Sequence, residues 1–332
     1  MQLIVLGLNH KTAPVEIRER FNFSQDRTVR VLRRLRNNDN LNEAVLLSTC
    51  NRTELYMVLE DPAAGLHFIR TLLRHLAGEQ YKPDYFYNLT GINCVRHLFK
   101  VASSLDSLII GEGQILSQIK NAYHLSRSCG MTDTLFNTLF NRAIAVGKRV
   151  RTETKIAYSS VSVSSAAVDL AIDVVGDLTK ANILVLGAGR MSELTARHLI
   201  DKGAKTIFVS NRNLSHAQEL AEKFNGTAIP YNEFMHQAIT SDIIITSTGA
   251  PHYVITEQGV RDIIPKRSGK PLILVDIAVP RDVDPLVGDI EGVTLYNIDD
   301  LEGVVDMNKN FRSSEAKVAE AIIDEELSLI HI

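Results

Sequence analysis

Cysteine is scarce in this sequence, because its 332 residues include only Cys50, Cys94 and Cys129. So small and odd a number cannot form a disulfide framework, and we expect a reducing, cytoplasmic environment. Long apolar runs are also missing, since none approaches the roughly 20 residues of a membrane span. The first residues, MQLIVLGLNHKTAP, lack the basic start and long apolar core of a signal peptide. The sequence therefore predicts neither a membrane protein nor a secreted disulfide-rich one.

An excess of either charge is absent as well. Lysine and arginine total 36, aspartate and glutamate total 39, and the net charge is −3. This balance excludes binding to nucleic acid, DNA included, through bulk positive charge, although a local basic patch remains possible. With 45% hydrophobic and 23% charged residues, the composition is that of an ordinary globular protein. The length predicts about two domains.

The first half of the chain predicts an α+β domain followed by helices. Apolar runs at 2–8, 43–49 and 54–60 favour strands, and 24–36 and 63–77 favour helices. This order is typical of helices packed on one face of a small sheet. From 92 to about 175 the pattern is almost wholly helical, with breaks at Gly130 and at Tyr158–Ser160.

The second half alternates strands with helices. Runs rich in β-branched residues at 181–187, 205–211, 242–248 and 271–277 are typical of buried parallel strands. Residues 181–298 are therefore predicted to form a doubly wound α/β domain. The last segment spaces Leu301, Val304, Val305 and Ile322 along a polar helix. Such a helix needs a partner surface, either in this chain or in a second copy.

A glycine-rich loop follows the first of these parallel strands. It reads Gly187-Ala188-Gly189-Arg190-Met191-Ser192 and opens a helix, which is the context of a dinucleotide-binding loop. The next strand ends at Ser210-Asn211-Arg212, where an NAD site usually has an acidic residue. Arg212 suits a 2′-phosphate, which favours NADP, although it could simply cap a surface turn.

Cys50 lies in the segment STCNRTE, between two predicted strands. Taken alone, a cysteine after an apolar run is more often a core residue than a nucleophile. Three features favour the nucleophile: its place at a strand end, Arg52 two residues on, which could lower its pKa, and the nicotinamide domain. With that domain, a cysteine thioester could be reduced by hydride transfer.

Other candidate residues are less distinctive. His97 could donate a proton or be a partly buried helix histidine, and Cys94 with His97 is too small a set for a zinc site, so we predict no metal. Glu112 and Gln114, beside two glycines, could form a small-substrate cradle or simply start a helix.

The motifs together resemble the glutamyl-tRNA reductase family over residues 3–325. The resemblance rests on LGLNHKTAPVEIRERF, STCNRTELY, VRHLFKVASSLDSLIIGEGQILSQIKNAY, GKRVRTET, VLGAGRMSELTARHL and VDIAVPRDVDP. It implies NADPH-dependent reduction of the glutamyl ester of glutamyl-tRNA to glutamate-1-semialdehyde, the first step of the C5 route to tetrapyrroles.

The resemblance also implies roles for individual residues. Cys50 matches the nucleophile, which forms a thioester and releases the tRNA, and His97 matches a histidine important for activity. Residues 187–192 match the NADP loop. Cys94 and Cys129 match no catalytic position, so we interpret them as packing residues. The positions that match the glutamyl-binding residues are Thr49, Asn51, Arg52, Ser107, Glu112, Gly113, Gln114 and Gln118.

The implied organisation has three parts. Residues 1–155 would form the catalytic domain, 156–298 the Rossmann-like NADP domain, and 299–332 the start of a spinal helix. The family usually continues into a helical dimerisation domain, so we expect this sequence to be shortened. Family members form homodimers, and docking of the aminomutase that takes the aldehyde is a further expectation.

A tRNA substrate requires some local basic surface. Two clusters are candidates: Arg27, Arg30, Arg33, Arg34 and Arg36, and Arg142, Lys148, Arg149 and Arg151. For the first cluster, a solvated helix face is an equal alternative to RNA contact. For the second, packing of the spinal helix and salt bridges are the favoured explanation. Two other functions stay open: a shikimate-dehydrogenase-like enzyme, which would need a Lys–Asp pair in the first domain, and a non-catalytic protein that binds glutamyl-tRNA.

Overall fold

The chain divides into two compact units. The computed structural model describes residues 1–77, 82–156, 162–301 and 309–329. The first unit comprises Met1–Ser160 together with Asn308–Ile332, and the second comprises Val161–Met307. The break expected at Tyr158–Ser160 lies outside the described residues. Within the described part of the chain, no helix is both long and apolar enough to cross a bilayer.

The first unit is built on a four-stranded antiparallel sheet in the order β2-β3-β1-β4. The strands predicted from the sequence are confirmed, and β4 was missed because its four residues, YNLT, are short and not apolar. The strands are β1 (Gln2–Asn9), β2 (Leu41–Ser48), β3 (Arg52–Leu59) and β4 (Tyr87–Thr90). The helices are α1 (Val15–Arg18), α2 (Gln25–Leu35), α3 (Pro62–Ala77), α4 (Gly91–Ala102), α5 (Gln114–Ser128) and α6 (Thr134–Glu153).

Helices cover both faces of this sheet, so the prediction of one covered face was wrong. All eight residues of β3 are buried, which a sheet with one solvated face would not allow. On one face Leu6, Met57 and Leu32 join a core with α2 and α3. On the other, Tyr56 and Phe140 join a core with α4, α5 and α6. The continuous apolar runs of β2 and β3 carried this information.

The helical stretch that begins at residue 91 is interrupted at Gly130, as the sequence predicts, and also at residues 103–113, which the sequence did not predict. Gly130 adopts a φ of +68° after the end of α5, as its position predicts. Residues 103–113 form an additional loop between α4 and α5. In that loop the Ser104 hydroxyl donates to the Glu112 carbonyl at 2.7 Å, which closes the loop on itself.

The C-terminal helix α12 (Lys309–Ser328) packs in the first unit. Its Ile322, Ile323 and Leu327 are buried in the core that contains α4 and α6. The Arg149 guanidinium lies 2.7 Å from the Glu325 carboxylate and 2.9 Å from that of Glu326. The partner surface that the sequence required is therefore supplied by this chain. Val304 and Val305 lie outside the described residues.

The second unit is the predicted doubly wound α/β fold. Its six strands are all parallel, in the order β10-β9-β8-β5-β6-β7. The sequence missed β7 and β10, the two edge strands, which are less buried than the central four. The strands are β5 (Asn182–Leu186), β6 (Thr206–Ser210), β7 (Thr227–Ile229), β8 (Ile243–Thr246), β9 (Leu272–Asp276) and β10 (Val293–Asn297). The helices are α7 (Val163–Val175), α8 (Arg190–Asp201), α9 (Leu214–Lys223), α10 (Phe234–Ala238) and α11 (Glu257–Ile263).

The packing of α12 predicts which of its residues stabilise the first unit. Ile323 is 0% exposed, so Ile323→Ala should lower the free energy of unfolding by about 2–5 kcal/mol. Val318 is 48% exposed on the same helix, so Val318→Ala should change it by less than about 0.5 kcal/mol. Urea denaturation followed by circular dichroism measures both. Equal effects of the two substitutions would show that α12 is not packed as described.

Candidate active site

Cys50 lies in a tight turn between two strands. β2 ends at Ser48 and β3 begins at Arg52. The Thr49 N–H donates to the Arg52 carbonyl at 2.8 Å. The Thr49 hydroxyl accepts hydrogen bonds from the backbone N–H groups of Asn51 at 3.2 Å and Arg52 at 3.1 Å. The cysteine is therefore presented by a turn whose backbone is fixed on both sides of it.

Arg18 stabilises this turn through hydrogen bonds, a role that the sequence did not predict. Its Nη1 donates to the Cys50 carbonyl at 2.8 Å and to the Asn51 Oδ1 at 3.0 Å, and the residue is 2% exposed. The His10 N–H adds a bond to the Asn51 carbonyl at 3.0 Å. Arg18 occurs within the quoted motif LGLNHKTAPVEIRERF, and this membership was the only signal.

The Cys50 thiol is not activated in this arrangement. Burial, followed by the nearby Glu112 carboxylate, raises the pKa of Cys50 to about 12. Arg18 and Arg52 lower that pKa, but by less. The expectation that Arg52 lowers the thiol pKa is therefore confirmed for its own contribution, but burial outweighs the two guanidinium groups.

A buried ion pair lies next to the turn, between Arg52 and Glu54 on the same face of β3. The Arg52 Nη1 and the Glu54 Oε1 are 2.5 Å apart, and the side chains are 1% and 0% exposed. The hydroxyls of Tyr56 and Tyr87 donate to the Glu54 carboxylate at 2.5 and 2.6 Å. Burial raises the pKa of Glu54, but Arg52, His97 and these hydrogen bonds hold it well below its usual range. Glu54 is therefore a permanent anion.

Gly7 makes room for this cluster. In the sheet register it is paired with Glu54 on one side and with Tyr87 on the other. A Cβ at residue 7 would lie 2.8 Å from the Glu54 Cγ and 2.9 Å from the Tyr87 hydroxyl. Both contacts are too close, so only glycine allows the Tyr87–Glu54 hydrogen bond across β1.

His97 belongs to the same cluster. Its Nε2 lies 2.9 Å from the Glu54 Oε1, and its ring meets the Tyr87 ring edge-on at 5.3 Å. The described contacts thus connect His97 to Glu54, and a role in proton transfer stays a prediction. Cys94, three residues earlier on α4, is fully buried in the core, in agreement with its interpretation as a packing residue. Cys129 packs half-buried against the core on the opposite face.

Arg52 also binds Asp106, a second residue that the sequence analysis missed. The Arg52 Nη1 lies 3.1 Å from the Asp106 Oδ2, and its Nη2 donates to the Asp106 carbonyl. On the exposed side, the Lys11 Nζ lies 2.5 Å from the Asp106 Oδ1. Because Glu54 and Asp106 already engage the Arg52 guanidinium, its binding of a substrate carboxylate stays a prediction.

The loop 103–113 and the start of α5 place the remaining predicted substrate residues. Ser107 is 8% exposed, and Glu112 lies close enough to Cys50 to raise its pKa. Burial raises the pKa of Glu112 itself. Gly113 precedes α5 and Gln114 is its first residue. Gln118, one turn further on, lines a cavity of about 630 Å³ together with Ser48 rather than with Cys50 or Arg52.

The glycine-rich loop of the second unit has the geometry that its sequence predicts. Gly187 follows β5 with a φ of +110°, and a Cβ there would lie 2.9 Å from the Ser192 hydroxyl. Gly189 is the N-cap of α8, whose first turn contains Arg190, Met191 and Ser192. Ser192, in place of the third glycine, is fully buried and bonds the Ser247 hydroxyl at 2.7 Å.

A cavity of about 260 Å³ lies at the carboxyl ends of these strands. Asn211 and Arg212 line it with Gly187, and the Arg212 Nη2 is 3.3 Å from the His252 Nε2. Beyond the predicted residues, the wall includes Tyr231, Thr248, Gly249, Ala250 and Val254.

The motif VDIAVPRDVDP orders one wall of this cavity. The Asp276 carboxylate, at the end of β9, accepts hydrogen bonds from the Thr246 hydroxyl at 2.9 Å and from the Asp282 N–H at 2.9 Å. Asp282 in turn accepts from the Thr248 N–H at 2.7 Å. The position of Thr248 at the cavity is therefore set by two buried aspartates.

These residues fit a phosphorylated dinucleotide. The Ser210 hydroxyl is buried at the end of β6 and has no hydrogen-bond partner among the described residues. The start of α8 offers backbone N–H groups to a pyrophosphate. Arg212 is exposed just after the end of β6, and the two residues before it, Ser210 and Asn211, are not acidic.

Comparison with known proteins decides what the two units are. A family model described as the N-terminal domain of glutamyl-tRNA(Glu) reductase matches residues 6–154. The glutamyl-tRNA reductase of Trichlorobacter lovleyi is 46% identical over 330 residues, which cover 98% of this chain and 76% of that protein. The chain belongs to the glutamyl-tRNA reductase family. This family of oxidoreductases carries out the first step of tetrapyrrole synthesis by the C5 route.

Further members of the glutamyl-tRNA reductase family agree with this assignment. The Geobacter sulfurreducens protein is 45% identical over 330 residues, covering 98% of this chain and 76% of that protein. The glutamyl-tRNA reductase structure from Methanopyrus kandleri is 37% identical with a TM-score of 0.51, covering 98% of this chain and 78% of that one. A second family model, for shikimate/quinate 5-dehydrogenase, matches residues 169–304, the Rossmann-type unit. The chain thus spans about three quarters of the length of these relatives.

The raised pKa of Cys50 predicts slow alkylation. In a Cys129→Ala background, iodoacetamide should react with Cys50 far more slowly at pH 8 than with a free thiol, because only the thiolate reacts. The rate should keep rising about tenfold per pH unit up to pH 10, since the pKa lies higher still. Glu112→Gln should accelerate the reaction by removing a negative charge. A rate that levels off near pH 9 would show that the thiol has an ordinary pKa.

Proposed function

We propose that this chain is an NADPH-dependent glutamyl-tRNA reductase that forms its product, glutamate-1-semialdehyde, through a thioester on Cys50. The observation that carries the proposal is the placement of Cys50 in a turn fixed by Arg18 and Thr49, beside a permanently charged Arg52–Glu54 pair. Family membership supplies the substrate class, and the turn supplies the nucleophile.

In the first step the Cys50 sulfur attacks the carbonyl carbon of the aminoacyl ester. The sulfur–carbon bond forms and the carbon–oxygen bond to the ribose breaks. The ribose oxygen of the departing tRNA takes up the proton that the thiol has lost. Because the thiol pKa is about 12, a base has to accept this proton as the bond forms. Glu112 lies close enough to Cys50 to raise its pKa, so we propose that this carboxylate accepts the proton.

In the second step a hydride adds to the carbonyl carbon of the thioester, the carbon–sulfur bond breaks to release the aldehyde, and a proton from solvent returns Cys50 to the thiol. NADPH, when bound, supplies the hydride. The residues that would hold it are those of the loop 187–192 with Ser210, Asn211 and Arg212. Arg212 and the neighbouring His252 would select the 2′-phosphate, since both can donate hydrogen bonds to it.

The glutamyl moiety would be held by residues near the turn. Thr49, Asn51 and Arg52 flank Cys50, and Ser107, Glu112, Gly113 and Gln114 come from the loop between α4 and α5 and its junction with α5. We propose that His97 positions Arg52 through Glu54, because its described hydrogen bond is to that carboxylate. This role keeps the guanidinium in place without requiring that the imidazole reach the substrate.

One observation favours a second candidate function. Lys11 and Asp106 form a Lys–Asp pair in the first unit, which a shikimate-dehydrogenase-like enzyme would require. That enzyme would oxidise a hydroxyl group and would not need Cys50. The match of residues 6–154 to the glutamyl-tRNA reductase domain makes this the weaker proposal. It predicts that Lys11→Ala, rather than a change at Cys50, abolishes activity.

We propose that the protein forms a homodimer, as members of its family do. We also propose that it passes its unstable aldehyde product to the aminomutase. Light scattering of the purified protein tests the first of these, and co-elution with the aminomutase tests the second.

The thioester mechanism predicts a specific result for Cys50→Ser. This variant should lose semialdehyde formation from glutamyl-tRNA while binding NADPH with unchanged affinity, because the cofactor residues lie in the other unit. Wild-type protein without NADPH should slowly hydrolyse the ester, and the variant should not. Cys129→Ala is the matched control and should keep full activity. Semialdehyde formation by Cys50→Ser at the wild-type rate would refute the thioester.

Cofactor selection is predicted to depend on Arg212. Arg212→Asp should shift the preference from NADPH toward NADH, because a carboxylate repels the 2′-phosphate and binds the free ribose hydroxyl. The ratio of kcat/KM for the two cofactors measures the shift. Lys202→Asp, on the same unit at the end of α8, controls for the change of charge alone. An unchanged ratio in Arg212→Asp would remove this arginine from the cofactor site.

A further inference from the structure

A polar groove runs along the first unit beside the candidate active site. It has a volume of about 630 Å³ and lies between α2 and α5, so we name it the α2–α5 groove. Ser48, two residues before Cys50, is in its wall. Along α5 the lining residues run from Gln118 to Ser128, which corresponds to about 15 Å of helix.

The lining of the α2–α5 groove suits nucleotide bases. Its wall presents the carboxamides of Gln25, Gln118 and Asn121, the imidazole of His124 and the hydroxyl of Ser128. Carboxamides and hydroxyls donate to and accept from base edges, which unpaired RNA exposes. Among the described residues that line the groove, none is an aspartate or glutamate, so nothing in the wall repels a phosphodiester.

Arg36, just after the end of α2, lies next to the groove, and α2 carries further unpaired arginines. Arg30, Arg33, Arg34 and Arg36 are exposed, and none of them makes an ion pair within the described parts of the chain. Arg36 follows Gln25 by eleven residues and so lies on the same stripe of the helix. Its Nη1 is 3.4 Å from the position that a Cβ on Gly130 would occupy, just beyond the end of α5.

The other basic cluster is already used by the chain. Arg142 and Arg149 bind Glu326, and Arg149 also binds Glu325 and Glu153. Arg151 donates to the Glu112 carbonyl and the Ser104 hydroxyl. These guanidinium groups attach α12 and the loop 103–113 to the unit, and their charge is not free for phosphates. The two clusters, equivalent in sequence, therefore differ in structure.

We propose that the α2–α5 groove binds the single-stranded 3′ end of the RNA whose terminal ester Cys50 attacks. The proposal rests on the proposed function, because the leaving group is then a ribose hydroxyl and the last nucleotide has to lie next to Cys50. The wall of the groove includes Ser48, two residues before Cys50, and continues along α5 to Ser128. A stacked strand advances about 3.4 Å per nucleotide, so 15 Å accommodates about four nucleotides.

The test uses uncharged RNA and no cofactor. One probe is a 5′-fluorescent hairpin of an acceptor stem with four unpaired 3′ nucleotides, and the second is the same hairpin with a blunt end. Wild-type protein should bind the first at least about tenfold more tightly in fluorescence anisotropy, because only that probe offers unpaired base edges to the carboxamides of the groove wall.

Two variants and a control locate the binding. Asn121→Trp fills the groove and should remove the preference for the unpaired end, leaving the blunt hairpin unaffected. Arg33→Ala with Arg36→Ala should lower the slope of log Kd against log salt by roughly 0.7 for each phosphate that the protein no longer neutralises. Lys148→Ala, which removes one cation from the other cluster, should change neither quantity.

The outcomes separate this proposal from the function on which it rests. The groove would be refuted as the binding site if Asn121→Trp kept the wild-type preference for the hairpin with the unpaired 3′ end. It would also be refuted if Lys148→Ala lost that preference to the same extent as Asn121→Trp. Because the affinities are measured without ester or NADPH, they decide the groove even if reduction of glutamyl-tRNA is not observed. Conversely, a reductase whose groove variants keep wild-type affinity would support the proposed function and refute only the proposed RNA site.

Discussion

The buried ion pair between Arg52 and Glu54 is the interaction on which the first unit depends. Both charges are removed from water, and removing one partner of such a pair typically costs about 3–5 kcal/mol because the other charge is left uncompensated. Glu54 is further stabilised by hydrogen bonds from Tyr56, Tyr87 and His97. These donors come from β3, β4 and α4, so one carboxylate fixes three elements relative to each other and to the cysteine turn.

The Arg52–Glu54 ion pair also explains why Arg52 does not activate the Cys50 thiol. A guanidinium two residues from a thiol looks like an activating group, but here its charge is directed toward Glu54 and Asp106. The thiol is left protonated in the resting protein, with a pKa of about 12. A thiol that is held protonated reacts slowly with alkylating and oxidising reagents.

Much of the fold could be predicted because its signals are local. The three longer strands of the first unit, the four central parallel strands of the second and the turn at Gly130 all follow from runs of a few residues. The covered second face of the first sheet was missed because one-face alternation was assumed where β3 is buried throughout. Within the site, Cys50, Arg52 and Arg212 were found by motif, but Arg18, Asp106 and Tyr87 were not. These three reach the turn or the ion pair from 32, 54 and 33 residues away in sequence, and no local pattern records such contacts.

The return of α12 to the first unit makes that unit discontinuous in the chain, with the whole second unit inserted between its parts. A ribosome therefore delivers α4 and α6 well before the helix that completes their core. During that interval the apolar faces of α4 and α6 lack their contacts with Ile322, Ile323 and Leu327. The inserted α/β unit has by then been synthesised with all six of its strands. The order of synthesis thus gives the nucleotide-binding unit all of its strands before α12 reaches the first unit.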